Sequence, residues 1–306
     1  MNAQELAREM QKRPYLVRQG ASKTAKRFKT TVETVKKART MFWNNKEVKP
    51  LRILLFDIET APMRAYVWKR WKENISLEQT ISEWFCIAWS AKWLYSGDVL
   101  GDVLTPEEIL KEDDSRIMTN LWNLINQADI IVAHNGDKFD IPKINARFAL
   151  NNLPPYKPVF SVDTLKVAKY RFGFSSNKLD ALAGYFGIPH KLDTDFNLWK
   201  RCMEGDKEAL GYMLKYNKMD VKILEEVYLK LRPWIKGHPN ISNLYHSDKE
   251  SCGICGNEDL ELIEGEYYFT SVNCYPLYRC KHCGAISRGR KSITKPSDIK
   301  IVNVGK

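Results

Sequence analysis

Two periodicities alternate along the chain. Between residues 51 and 235, short apolar runs of strand length, such as Ile53–Phe56 and Ile130–Ala133, give way to stretches whose apolar residues recur every three to four positions. That alternation marks an α/β domain. The clearest helical pattern is "EALGYMLKYNKMDVKILEEVYLKL" (208–231), with Leu210, Leu214, Val221, Leu224, Tyr228 and Leu231 on its buried side. Residues 1–48 read as helices. Within "ASKTAKRFKTTVETVKKARTMF" (21–42), Ala25 and Phe28 face inward on a first helix and Thr31 is the expected N-cap of a second. Val32, Val35, Ala38 and Phe42 give that second helix an apolar stripe. Residues 245–290 are rich in Cys, Gly and Tyr, and a basic tail, 291–306, follows. Four pieces are therefore expected: 1–48, 51–235, 245–290 and 291–306.

Composition narrows the class. With 44% hydrophobic and 11% aromatic residues the chain is not broadly disordered. No apolar stretch approaches the roughly 20 residues that span a bilayer, and "MNAQELAREMQKRP" has no apolar region of the kind a secretory signal needs. A cytoplasmic protein without a membrane partner is expected. The net charge of +11 is uneven: residues 1–50 carry +9 and residues 284–306 carry +5, which leaves the segment between them slightly acidic. A polyanion gripped by the two ends would explain this, and so would a pair of solvated tails.

The acids of the middle segment carry the chemistry. In "LFDIETAP" (55–62) an apolar run ends in Asp57 and Glu59. Residues i and i+2 of a strand share a face, so these two carboxylates enter one small volume, where each would raise the other's pKa. A hard divalent cation removes that conflict. A two-ion site requires further acids from distant sequence. In "ADIIVAHNGDKFDIPKI" (128–144) a polar elbow holding Asp137 and Asp140 follows an apolar strand, and on the late helix Tyr216 and Asp220 share a face at i and i+4. Taken singly, each has a plain alternative: a strand end, a helix cap at Asp140, a core tyrosine. Asp163 reads as a helix N-cap, with a metal role as its alternative.

The ordered set of DIET after the first strand, N-x-x-x-F-D, and Y-x-x-x-D on a late helix resembles the Tyr-containing branch of the DEDD 3′–5′ exonucleases, the fold of polymerase proofreading domains. The resemblance covers residues 51 to about 232, and "LDALAGYFGIPHK" with "LWKRCMEGDKEALGYMLKYNKMDV" resembles stand-alone, phage-type or bacterial members. It implies an RNase H-like α/β fold, a mixed five-stranded sheet flanked by helices. Its strands are expected at Leu51–Asp57, near Phe85–Trp93, near Val99–Leu104, at Ile130–Ala133 and at Val159–Val162. It implies two Mg²⁺ or Mn²⁺ ions, with Asp57 bridging both and Glu59 and Asp220 completing the ion that binds the attacking water. Asp140 would hold the second ion, preferred over Asp137 because it follows Phe139 as in the family motif. Tyr216 would orient the water, and nucleoside 5′-monophosphates would be released from a 3′ end. Thr60, Asn135 and Phe139 are candidates to touch the terminal nucleotide, with turn formation the alternative for Asn135.

The appendages point the same way. "CGIC" (252–255) and "CKHC" (280–283) are separated by 24 residues. Cys252, Cys255, Cys280 and Cys283 suit one structural, tetrahedral Zn²⁺ in a zinc ribbon, in a reducing compartment. Cys86, Cys202 and Cys274 read as core or loop thiols. Tyr267, Tyr268, Phe269, Tyr275 and Tyr278 read as ribbon core, with base stacking as the alternative. The helical pair in residues 21–42 resembles a helix-turn-helix, whose groove-facing candidates are Thr31, Glu33, Thr34, Lys36 and Lys37; a plain helical cap is the alternative. The expected partner is nucleic acid, DNA over RNA, with a single-stranded 3′ end, and a polymerase, repair or recombination assembly served in trans. A transposase or integrase could combine the same three modules, but Glu59 and the Tyr216–Asp220 pair argue against it. A non-catalytic DNA-binding regulator would be expected to lack one of the metal acids, and none is missing.

Overall fold

The computed structural model describes residues 1–12, 20–44, 51–189, 192–242 and 250–294. The chain divides into two units, Met1–Pro50 with Ser242–Lys249, and Leu51–Ile241 with Glu250–Lys306. Most of the basic tail, from residue 295 onward, lies outside the described residues.

The first unit holds three helices, α1 (Ala3–Lys12), α2 (Ala21–Arg27) and α3 (Val32–Asn44). Leu6 and Met10 of α1 meet Ala25, Val35 and Ala38 in a small core, with Phe28 packed against it. Thr31 caps α3, its Oγ1 accepting from the Thr34 N–H at 3.1 Å. Val32, expected on the apolar stripe, is instead 39% exposed. Positions three apart drift around a helix by about 60° per step, so the first member of the series comes out at the rim. The Phe42 side chain lies outside the described residues. Thr31, Glu33, Lys36 and Lys37 are exposed and Thr34 is half-buried.

The second unit is built on the expected mixed five-stranded sheet flanked by helices. Its strands are β1 (Ile53–Thr60), β4 (Cys86–Trp93), β5 (Leu100–Val103), β6 (Ile130–Ala133) and β7 (Phe160–Asp163), in the order β5-β4-β1-β6-β7. β1 pairs antiparallel with β4 and parallel with β6, and β6 pairs parallel with β7. β1 runs three residues past the expected end at Asp57, because β4 continues to pair with it through Glu59↔Ala88 and Thr60↔Cys86. A two-stranded hairpin, β2 (Arg64–Ala65) and β3 (Thr80–Ser82), interrupts the chain between β1 and β4.

Alternation along β1 divides the layers. Leu54, Phe56 and Ile58 enter a core with Ile117, Leu121 and Ile125 of α5 (Ser115–Ile125) and with Ile144 and Phe148 of α6 (Asp140–Leu150), which follow the short α4 (Pro106–Lys111). Asp57 and Glu59 point the other way. The helices α7 (Thr164–Arg171), α8 (Leu179–Tyr185) and α9 (Phe196–Met203) precede the long α10 (Lys207–Leu231), which packs against β1, β4 and β5. An Asp206 side chain caps α10 by accepting from the Glu208 and Ala209 N–H groups. Asp114 ties β4 to α6: fully buried, it accepts from the Cys86 N–H, from Arg147 Nε at 2.6 Å and Nη2 at 2.8 Å, and from Asn151 Nδ2.

The Cys-rich segment forms a three-stranded antiparallel sheet, β8 (Leu260–Phe269), β9 (Cys274–Cys280) and β10 (Ile286–Arg288), in the order β10-β9-β8. It is joined to the end of the α/β layer by the Ile241 N–H, which donates to the Gly253 carbonyl at 2.7 Å. Among the described residues, no helix is long and apolar enough to cross a membrane.

Candidate active site

β1 and α10 bring the distant acids together. One carboxylate oxygen from each of Asp57, Glu59 and Asp220 can be chosen so that all three lie within 4.8 Å of one another. Asp57 and Glu59 reach this place by strand alternation, and Asp220 by its position on the sheet-facing side of α10, where it is buried. Tyr216, one helical turn earlier, is buried on the same helix. The β1–β4 register shifts between Glu59 and Thr60, and bulges of this kind re-aim side chains at the ends of strands. Three hard oxygen donors so close together, from three different carboxylates, fit a divalent cation of the Mg²⁺ or Mn²⁺ type.

Asp140 stands outside that group. It opens α6, only 2% exposed, and its Oδ1 accepts from the Ile58 N–H at 3.3 Å, between the two β1 acids. Burial pushes its carboxyl up to about 7; the Ile58 N–H opposes that rise and the charge of Asp163 adds to it. Asp137 is not gathered in either, because its carboxylate pairs with Lys166 Nζ at 2.6 Å. Asp163 caps α7, accepting from the Leu165 and Lys166 N–H groups, and its carboxylate also takes the N–H groups of Asn135 and Asp137. It pins the elbow that leads into Asp140.

Asn135 sits in that elbow with a left-handed φ of 71°, a conformation Asn tolerates better than most residues. Thr60 is half-buried at the end of β1, and Phe139 is 37% exposed at the start of α6. Lys143 lies between Phe139 and Trp84, its Nζ 5.2 Å and 3.5 Å from the two ring centroids. Lys36 and Lys37 are exposed on α3 of the other unit.

The structure adds Asn217, which sequence reasoning missed. Its Nδ2 donates to Asp57 Oδ2 at 2.7 Å from a fully buried position. The signal was the spacing of three residues to Asp220, which puts the amide on the same helical face.

The four cysteines form a second cluster, with all four Sγ atoms within 4.8 Å of one another. Cys252 and Cys283 are 3.8 Å apart and Cys255 and Cys280 are 3.6 Å apart. Disulfide sulfurs lie at about 2.05 Å, whereas a tetrahedral ion with arms of about 2.3 Å sets its sulfurs roughly 3.8 Å apart. The donor set and spacing fit Zn²⁺. Each knuckle closes in the same way: the Gly256 N–H donates to the Cys252 carbonyl and the Gly284 N–H to the Cys280 carbonyl, both at 2.8 Å. Both glycines have φ near 78°, which disfavours a side chain. Cys252 is held well below the usual thiol range by hydrogen bonds from Cys255 and then Cys283. The aromatics of the Cys-rich sheet are not its core, contrary to expectation. Tyr267, Tyr268 and Phe269 are exposed and Tyr275 and Tyr278 half-buried, because among the described residues this single small sheet has no second layer to cover that face.

The RNase H superfamily profile matches residues 104–232. The match spans less than half of the chain, so it marks this stretch as similar to RNase H superfamily domains. It holds Asp140, Tyr216 and Asp220, while Asp57 and Glu59 precede it. Among solved structures, the family B DNA polymerase from the hyperthermophilic archaeon Pyrobaculum calidifontis is similar at 19% identity and a TM-score of 0.45. The similarity covers 61% of this chain and 25% of the polymerase, so the chain spans about a quarter of that protein's length. No curated protein matches the chain in sequence.

Proposed function

We propose that the protein is a divalent-metal-dependent 3′–5′ exonuclease acting on DNA in preference to RNA. The observation that carries this reading is the meeting of Asp57, Glu59 and Asp220, whose ligand oxygens lie within 4.8 Å of one another although Asp220 is 161 residues beyond Glu59. Similarity to RNase H superfamily domains over residues 104–232 supports a nuclease.

Asp57, Glu59 and Asp220 would hold the catalytic cations, with Asp140 supporting a second ion. When bound, these ions would supply a water of lowered pKa and charge neutralisation for the leaving oxygen. Asn217 fixes the Asp57 carboxylate by its hydrogen bond, so that one ligand is oriented before any ion arrives. Tyr216, one turn from Asp220, would orient the attacking water. Hydrolysis forms a bond from water oxygen to the terminal phosphorus and breaks the bond from that phosphorus to the 3′ oxygen of the preceding nucleotide. That oxygen takes up a proton, and a nucleoside 5′-monophosphate leaves. The four-cysteine module is read as a structural zinc ribbon, since four thiolates leave no position for substrate. The basic helical unit, with Lys36 and Lys37, is read as a DNA-docking module of the helix-turn-helix kind. Service to a polymerase or repair assembly in trans fits a chain with this arrangement.

The test is degradation of 5′-labelled single-stranded DNA and RNA with Mg²⁺ or Mn²⁺, beside Asp57→Ala and Asp220→Ala. A ladder shortening from the 3′ end is expected. Each substitution should reduce it by more than the roughly 10–100-fold that loss of a supporting hydrogen bond causes. A folded Asp57→Ala protein with full activity would sink the reading.

A further inference from the structure

Between β1 and β4 the chain leaves the sheet and returns to it. The Ala61 N–H donates to the Phe85 carbonyl at 2.8 Å, which closes the base of an arm formed by residues 62–84. Further out, the Tyr66 N–H donates to the Gln79 carbonyl and Gln79 Nε2 returns a bond to the Tyr66 carbonyl. Arg64 Nε holds Ser82 Oγ at 2.8 Å. The stem is thus fixed by hydrogen bonds, while its outer segment carries large side chains that none of the described residues covers. Trp68 is 91% exposed, Trp71 is 82% exposed, and Tyr66 between stem and tip is exposed as well.

Leaving two tryptophans in water forgoes the burial that normally recruits such residues to a core, and clustered exposed aromatics mark an interaction site. Sequence around them identifies the partner. "RAYVWKRWK" (64–72) places three cations, Lys69, Arg70 and Lys72, among the aromatics, while Arg64 at the stem pairs with Glu112 and Glu73 follows the run. Cations alternating with π-faces match single-stranded nucleic acid: the cations meet phosphates and the rings stack on bases without reading sequence. A protein partner would need matching acids and a pocket for the rings, and this extended run of exposed residues favours the flexible polyanion.

The arm also stands in the right place. Trp68 is nine residues beyond Glu59, so the backbone keeps it within roughly 30 Å of the carboxylates. At about 3.4 Å per stacked nucleotide that is at most about nine nucleotides. We infer that the 62–84 arm is a single-strand clamp, in which Trp68 and Trp71 stack on bases upstream of the 3′ terminus while Lys69, Arg70 and Lys72 hold the phosphates. The inference rests on the nucleic-acid reading of the carboxylate site.

The test uses the full chain with Ca²⁺ in place of Mg²⁺ and labelled oligothymidylates of about four and about twenty nucleotides, bracketing the reach of the arm. Affinity is read by fluorescence anisotropy, and cleavage is assayed separately with Mg²⁺. Wild type should bind the longer strand more tightly. Trp68→Ala with Trp71→Ala should weaken binding of the longer strand by about tenfold or more, the low end of the stacking range, and close the gap between lengths. Trp68→Phe with Trp71→Phe should recover most of it, which separates stacking from misfolding. Unchanged affinity in the alanine variant overturns the clamp, and so does a phenylalanine variant as weak as the alanine one. A wild-type dimer that the alanine substitutions convert to a monomer with unchanged DNA affinity overturns it too, and assigns the arm to self-association. Loss of binding in the alanine variant of a protein that cleaves nothing would keep the clamp and reject the exonuclease. Cleavage by wild type with no effect of the substitutions would do the reverse.

Discussion

Asp140→Asn should stabilise the metal-free protein, and only above a definite pH. The Asp140 carboxyl is 2% exposed, and burial pushes its pKa up to about 7. In the unfolded chain an aspartate titrates near 3.9. Between these values the folded state keeps a proton that the unfolded state has released. Whatever stability the protonated group contributes is therefore complete below about pH 4 and is lost as pH rises through about 7. A difference of about 3 pKa units at 1.36 kcal/mol each gives an upper bound of roughly 4 kcal/mol. Asparagine never ionises and still offers an oxygen to the Ile58 N–H. Urea unfolding in chelator, at steps from about pH 4 to about pH 8, measures the difference between variant and wild type, so that every other titrating group cancels. That difference should be small at the acid end and grow in favour of asparagine towards neutrality. Saturating Mn²⁺ at about pH 8 should narrow it, because a cation offsets the buried charge. A difference independent of pH, or one that grows in favour of wild type, would refute the argument.

Three further perturbations have expected outcomes. Asn217→Ala removes the hydrogen bond to Asp57 Oδ2 and should weaken Mn²⁺ binding, followed by electron paramagnetic resonance, by about 10–100-fold; unchanged affinity would mean that the amide only packs. Asp114→Ala strands the Arg147 guanidinium, whose side chain is 14% exposed, and should cost about 3–5 kcal/mol in urea unfolding, with a loss under 1 kcal/mol counting against the buried pair. Cys280→Ala should abolish stoichiometric zinc release to a chromophoric chelator and melt the ribbon, because its buried centre is little more than Cys252, Cys280 and Ala285; full zinc retention would show that the four thiolates are not the ligands.

What could be seen in the sequence was what local periodicity determines. An apolar run followed by acids at i and i+2 fixes both the strand and the shared face of Asp57 and Glu59, and a spacing of four fixes the shared face of Tyr216 and Asp220. Asp163 likewise showed itself as a cap. The remaining features depend on partners remote in sequence. Asn217 shares a helical face with Asp220 by its spacing of three, but the partner that gives it a role, Asp57, lies 160 positions away. Asp114 gains its role from β4 and α6 together. The extension of β1 to Thr60 follows from how far β4 runs, and the exposure of Tyr267 and Phe269 from the absence, among the described residues, of a second layer over the Cys-rich sheet. Both are tertiary facts that override propensity.

The position of Asp140 follows from the sheet rather than from the acids. β6 pairs with β1 only as far as Leu55↔Val132 and ends at Ala133, while β1 continues beside β4 to Thr60. The far end of β1 therefore presents its backbone on the parallel side with no strand among the described residues to receive it. A buried N–H must find an acceptor, and the Ile58 N–H finds Asp140 Oδ1. The elbow after β6, held by the Asp163 carboxylate on the Asn135 and Asp137 N–H groups, delivers that carboxylate where the strand stops. One early strand end thus leaves the Ile58 N–H without a strand partner and brings Asp140 to receive it. The same burial that satisfies Ile58 makes ionisation of Asp140 unfavourable until a cation is near. Topology alone would then tie the charge state of this residue to occupancy of the neighbouring site.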